Sequence, residues 1–266
     1  MSFGINSLYD EIMSLTIQCR ERNMEQYRKI ETFNGIAKFL IENTLKSENE
    51  NVALTGNQIL IISLFIKILN RAESIVFTTE RGIEADAKML LRGLIEQLIM
   101  LKLCCDDNEN HKIYAKKSIL MKRGTINDLL DKKVIKGEKN IRNLKEVKEK
   151  VERITKTFDI SKKENIDIEK LARRAGLYNI YAKYYRMFSD EAHSAYNTLE
   201  GYLLIDRDKN LITEIRNRSI DNSRGLLNIL IAFLAKAVCY YSTYMCLNNI
   251  EVPKELEDEF KAVWSS

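Results

Sequence analysis

One proline and ten glycines in 266 residues leave this chain almost nothing with which to interrupt a helix. Proline deletes a ladder donor and clashes with the preceding turn, and glycine in a helix interior costs about 1 kcal/mol relative to alanine. Leu, Ile, Lys, Glu and Ala dominate the remainder, so long helices are expected. The expected fold is all-α, a multi-helix bundle of long helices. The length can bury a sizeable core. The expected organisation is a single helical domain over 1–266, with a basic helical hairpin inserted at about 107–158.

Apolar periodicity places the elements. The first 46 residues read as one long or kinked helix, with Gly35 as the candidate break. Polar SENENVALTGN (47–57) is a loop in which Thr55 or Asn57 can cap a helix over 58–78. A second apolar helix spans roughly 84–105. Residues 107–133 and 138–158 form the hairpin, and 160–167 is a linker. IEKLARRAGL (168–177) ends at Gly176, a C-cap residue, and 178–201 is read as one helix. In LLIDRDKNLITEI (203–215) two short apolar runs flank Asp208, Lys209 and Asn210, the pattern of a small β-hairpin. Helices over 222–248 and 253–264 close the chain, the last starting at Pro253.

Two apolar runs invite comparison with membrane spans. Residues 59–69 are too short and contain Lys67. Residues 225–247 are long enough, but Lys236 at the middle would cost about 2.5–3.5 kcal/mol in a bilayer. A helix apolar on most sides is also what a bundle centre requires, and that is the expectation here. Five cysteines without metal-ligand spacing, and no signal peptide, point to reduced thiols in a cytoplasmic protein.

Charge is unevenly spread. Lys112 to Lys156 hold 15 Lys+Arg against 6 Asp+Glu, a local +9 that leaves −5 for the rest of a chain whose total is +4. Lys116, Lys117, Lys122 and Arg123 are the candidate RNA-backbone contacts, and the competing reading is a solvated lysine-rich hairpin. Tyr114 is almost the only aromatic there, so base stacking is poorly supported.

The segment YRMFSDEAHSAYN holds one of only two histidines, His193, seven residues after Arg186. At about 100° per residue, an i, i+7 step returns to nearly the same helix face. A histidine can move a proton near neutral pH while an arginine holds charge on a phosphodiester. The same face also carries Asp190 and Asn197, and Tyr185, Phe188 and Ala192 fall on the apolar side. A plain water face accounts for this stripe equally well.

A second polar pair sits in MLLRGLIEQLIMLKLCC (89–105), where Arg92 and Glu96 are i, i+4 on an otherwise almost wholly apolar helix. They are expected either to pair with each other or to orient the Arg186/His193 helix across an interface. Sharper motifs fail. Asp190-Glu191-Ala192-His193 spells a helicase DEAH box, but no phosphate-binding G-x-x-x-x-G-K-[ST] loop accompanies it. A carboxylate-bridged di-metal bundle needs two Glu-x-x-His motifs, and zinc spacing is missing, so neither metal nor cofactor is expected.

With LLRGLIEQLIML and LARRAGLYNIYAKYYRMFSDEAH in view, the chain resembles DUF5677, a family of helical bacterial proteins of unknown function. Its R-x-x-x-E helix is followed by a helix reading Y-x-x-x-Y-x-x-x-S-x-x-x-H, which Tyr181, Tyr185, Ser189 and His193 fit. The resemblance covers roughly residues 60–200. The same helix is similar to the R-x(4–6)-H element of the HEPN superfamily of helical domains, common in antiphage defence and toxin–antitoxin systems.

That second resemblance implies a metal-independent endoribonuclease in which Arg186 and His193 are the catalytic pair; Arg92, Glu96, Ser189, Asp190, Tyr185 and Asn197 are the candidate supporting residues. It implies RNA as substrate and a homodimer or higher homo-oligomer. A sensor or antitoxin is the implied partner, and no membrane is involved. The competing reading is a non-catalytic helical binding or scaffold module of a defence complex.

Overall fold

A computed structural model of the chain describes residues 5–47, 54–131, 138–157, 167–192, 203–206, 211–215 and 218–245. The fold is an all-α bundle with one small hairpin. Its helices are α1 (Ile5–Arg22), α2 (Met24–Ser47), α3 (Gly56–Glu80), α4 (Glu84–Asp106), α5 (His111–Asp131), α6 (Glu138–Thr157) and α7 (Ile168–Arg174). A further helical stretch runs through α8 (Tyr178–Ile180), a π-helical turn (Tyr181–Tyr185) and α9 (Arg186–Ala192). The strands β1 (Leu203–Asp206) and β2 (Leu211–Ile215) precede α10 (Ser223–Tyr244). The expected helix over 253–264, with Pro253, lies outside the described residues.

The two apolar helices occupy the centre, because a helix hydrophobic on most sides needs neighbours on most sides. α4 packs against α3, α10, α7 and α9, and α10 packs against α2, α3 and α4. Leu91, Leu94, Ile95, Leu98 and Ile99 of α4 are fully buried against Leu227, Leu230, Leu234 and Val238 of α10 and their neighbours. Tyr241 at the end of α10 stacks on Phe65, centroids 4.2 Å apart, and its hydroxyl lies 2.9 Å from Thr44 Oγ1. Helix α10 is therefore the core helix that Lys236 suggested, with that lysine on its exposed side.

Caps and breaks reflect local chemistry. Thr55 and Gln58 form a reciprocal capping box at the start of α3. The α3–α4 turn uses Gly82 at φ +69°, and Gly176 closes α7 at φ +68° while the Leu177 N–H reaches back to the Ala172 carbonyl. The expected break at Gly35 is wrong: Gly35 sits inside α2, and the chain breaks at Asn23. There the buried Asn23 amide donates to the Cys19 carbonyl (2.8 Å) and to Ser223 Oγ (2.9 Å), so a side chain takes over helix hydrogen bonding.

At the C-terminal end of α4, Asn57 donates to the Cys104 carbonyl, and the Leu103 carbonyl takes both the Asp107 N–H and the Asn110 side-chain amide. The two strands expected within 203–215, β1 and β2, pair antiparallel. Leu204 pairs Glu214 and Ile205 pairs Ile212, so Thr213 is the extra residue of a bulge. The basic pair α5 and α6 pack chiefly on each other.

Candidate functional site

A four-residue polar cluster lies between α4 and the 178–192 stretch. Leu91, Leu94 and Leu98 turn α4 into the core, which leaves Arg92 and Glu96 half-buried toward the 178–192 stretch. Arg92 Nε donates to Ser189 Oγ (3.1 Å) and Arg92 Nη2 to the Tyr185 hydroxyl (2.8 Å). The Tyr185 hydroxyl in turn donates to Glu96 Oε1 (2.8 Å), and Ser189 Oγ donates to the Tyr185 carbonyl (2.7 Å). The guanidinium also lies over the Tyr185 ring, 4.6 Å from its centroid.

Arg92 and Glu96 both reach across the helix interface to the Tyr185 hydroxyl. The two charges are joined through a phenol about ninety residues away in sequence. Burial, and then the bond to Glu96, push the Tyr185 phenol up to about 12, so it stays a neutral donor at physiological pH.

The expected uniform α-helix over 178–201 needs correction. Between Tyr181 and Tyr185 the ladder widens, and the Arg186 N–H bonds the Tyr181 carbonyl five residues back. One inserted residue rotates the downstream helix by about 100° relative to the upstream turn. Tyr181 and Tyr185 remain stacked, centroids 5.0 Å apart, and both are buried. The ordinary α pattern resumes at Arg186, so the spacing from Arg186 onward is unaffected through Ala192.

Arg186 faces elsewhere. Its side chain is 58% exposed and its Nη2 donates to Glu169 Oε2 on α7 at 3.1 Å. Glu169 also receives Arg173 Nη2 at 2.8 Å, and these arginines hold its carboxyl below the usual range. Bonds to Tyr181 and Glu169 raise the Arg186 guanidinium further. A cation fixed at the surface by one carboxylate and an underlying ring is placed to exchange that carboxylate for a phosphate.

His193 and Asn197 lie outside the described residues, as does the Asp190 side chain. Among the expected RNA contacts Lys122 is exposed, Lys116 and Arg123 are half-buried, and the Lys117 side chain is not among those described. The structure therefore brings together Arg92, Glu96, Tyr185 and Ser189, and sets Arg186 on a different face with Glu169. Sequence reading missed Glu169 and Arg173, although i, i+4 spacing at the start of IEKLARR signals that pair. Among the described residues no group of three or more His, Cys, Asp or Glu is placed to hold a metal.

Fold and site together define a helical-bundle protein whose Arg186 helix is latched to the central helix by an Arg–Tyr–Glu–Ser cluster. The chain belongs to DUF5677, a family of unknown function whose model matches residues 58–210, a span that begins inside α3 and runs through α9 and β1. No curated protein and no solved structure matches it.

Proposed function

We propose that this protein is a HEPN-like, metal-independent endoribonuclease in which Arg186 and His193 act on one RNA phosphodiester. The reading includes a cytoplasmic homodimer or higher homo-oligomer serving antiphage defence or a toxin role, with a sensor or antitoxin partner. The observation that carries it is the exposed Arg186 guanidinium on a helix whose buried side is pinned to α4 through Tyr185 and Ser189. Such pinning holds a phosphate-binding cation in place before substrate arrives.

In the reaction, His193 takes the proton of the RNA 2′-hydroxyl as that oxygen bonds to the adjacent phosphorus. The bond from phosphorus to the 5′-oxygen breaks, and that oxygen takes up a proton. The products are a 2′,3′-cyclic phosphate and a 5′-hydroxyl. Arg186 leaves Glu169 to neutralise the added charge on the phosphorane. Dependence on the 2′-hydroxyl makes the site inactive on DNA. Lys122 and its neighbours on α5 contribute salt-sensitive backbone attraction.

The test is cleavage of mixed single-stranded RNA by purified protein in EDTA, with Arg186→Ala and His193→Ala alongside. Loss of cleavage in both variants, and cyclic-phosphate ends in the wild-type product, is the expected result. Intact RNA in every tube favours a non-catalytic RNA- or partner-binding module, the reading that the Arg186–Glu169–Arg173 surface network also suits.

A further inference from the structure

A second charged feature lies away from Arg186. Helices α3, α4 and α5 enclose a cleft of about 240 Å³ whose lining includes Lys67, Arg71, Gly93, Glu96, Gln97 and Tyr114. By liquid volume that is room for about eight waters, enough for a phosphoryl group with part of a sugar or ring attached. Lys67 is the residue that interrupts the apolar run of α3, and Arg71 comes one turn later. Like charges at i, i+4 repel unless an anion lies between them.

Two observations make this more than a basic patch. The Arg71 guanidinium is half-buried, and among the described residues no hydrogen bond or ion pair holds it. It lies where only glycine permits: a Cβ on Gly93 would stand 1.7 Å from Arg71 Nη1. Glu96 supplies the opposing charge, but its carboxylate also accepts from Tyr185, so the two cations outnumber it in the cleft.

The geometry points to a binding site for a phosphate monoester. Lys67 and Arg71 take the phosphoryl oxygens. Tyr114 closes the wall from α5. A free nucleoside monophosphate and the 5′-phosphorylated end of an RNA share this chemistry. The site does not depend on Arg186 or His193.

The experiment is calorimetric titration of the full chain at low salt with adenosine 5′-monophosphate, a 5′-phosphorylated oligoribonucleotide, inorganic phosphate and adenosine. At least one ester is expected to bind with Kd below about 1 mM, and adenosine is expected not to bind. Arg71→Gln is expected to weaken that ester about tenfold or more. Gly93→Ala is expected to do the same by displacing the guanidinium while keeping its charge, and alanine is the better helix former, so folding is not at risk. Arg186→Ala is expected to leave binding of adenosine 5′-monophosphate, which has no phosphodiester, unchanged, which separates this site from the proposed ribonuclease centre.

Tighter binding of the mononucleotide identifies a free-nucleotide site, and tighter binding of the oligonucleotide an RNA-end site. The inference is overturned if neither ester binds, if only inorganic phosphate does, or if binding survives both Arg71→Gln and Gly93→Ala.

Discussion

The latch between α4 and α9 can be weighed by removing one oxygen. Tyr185→Phe deletes the hydroxyl that receives Arg92 Nη2 and donates to Glu96 Oε1, both at 2.8 Å. Hydrogen bonds to charged groups are worth about 1.5–3 kcal/mol each, but Arg92 keeps Ser189 and both charged ends are half-buried, so water recovers part of the loss. The expected cost is about 2 kcal/mol. Arg92→Met removes the bonds to Tyr185 and Ser189 and the guanidinium over the ring, for about 3 kcal/mol.

The two changes share one bond, so the double variant is expected to fall short of their sum by about 1–2 kcal/mol. Urea unfolding of the four proteins at neutral pH, monitored by circular dichroism, measures this. A coupling below about 0.5 kcal/mol, the level at which independent sites already scatter, would mean that water replaces the hydroxyl freely and the cluster does not hold the helix.

Other expectations test separate parts of the fold. The Tyr185 phenol is raised in the folded state, so its contribution is intact below the ordinary tyrosine range near 10 and is lost as pH rises toward about 12; the stability gap between wild type and Tyr185→Phe should narrow across that window. Gly82→Ala forces a side chain into the left-handed region and within 3.0 Å of the Ser219 backbone nitrogen; a loss of about 2 kcal/mol is expected in the same urea assay, and an unchanged midpoint would refute the turn argument. Asn57→Ala removes an amide shared among the Cys104 carbonyl, Asn108 Oδ1 and the Tyr244 hydroxyl, and is expected to cost about 2–3 kcal/mol by urea unfolding. If the proposed RNA cleavage holds, Tyr185→Phe is expected to lower its rate while leaving some activity and His193→Ala is expected to abolish it; equal loss in both would argue that Tyr185 does more than position the helix.

Several of these features are legible in the amino-acid sequence. Thr55 and Gly176 mark helix ends correctly because capping involves residues within one turn of one another. The 203–215 hairpin is signalled by two apolar runs around a polar turn. Gly35 misleads because one glycine costs a helix only about 1 kcal/mol, less than the tertiary hydrogen bonds that break the chain at Asn23. The π-turn is illegible, since nothing in YAKYY differs from an ordinary amphipathic helix.

The sequence by itself therefore determined the helical class, the central place of the helix over 225–247, and the residue types available for chemistry. These depend on periodicity and on neighbours a few positions apart. Only the tertiary structure decided that Arg92 meets Tyr185 and Ser189, that Arg186 turns instead to Glu169, and that Arg71 lies over Gly93. The physical reason is range: a half-buried charge takes whichever partner packing brings within about 3 Å, and for Arg92 that partner lies more than ninety residues along the chain.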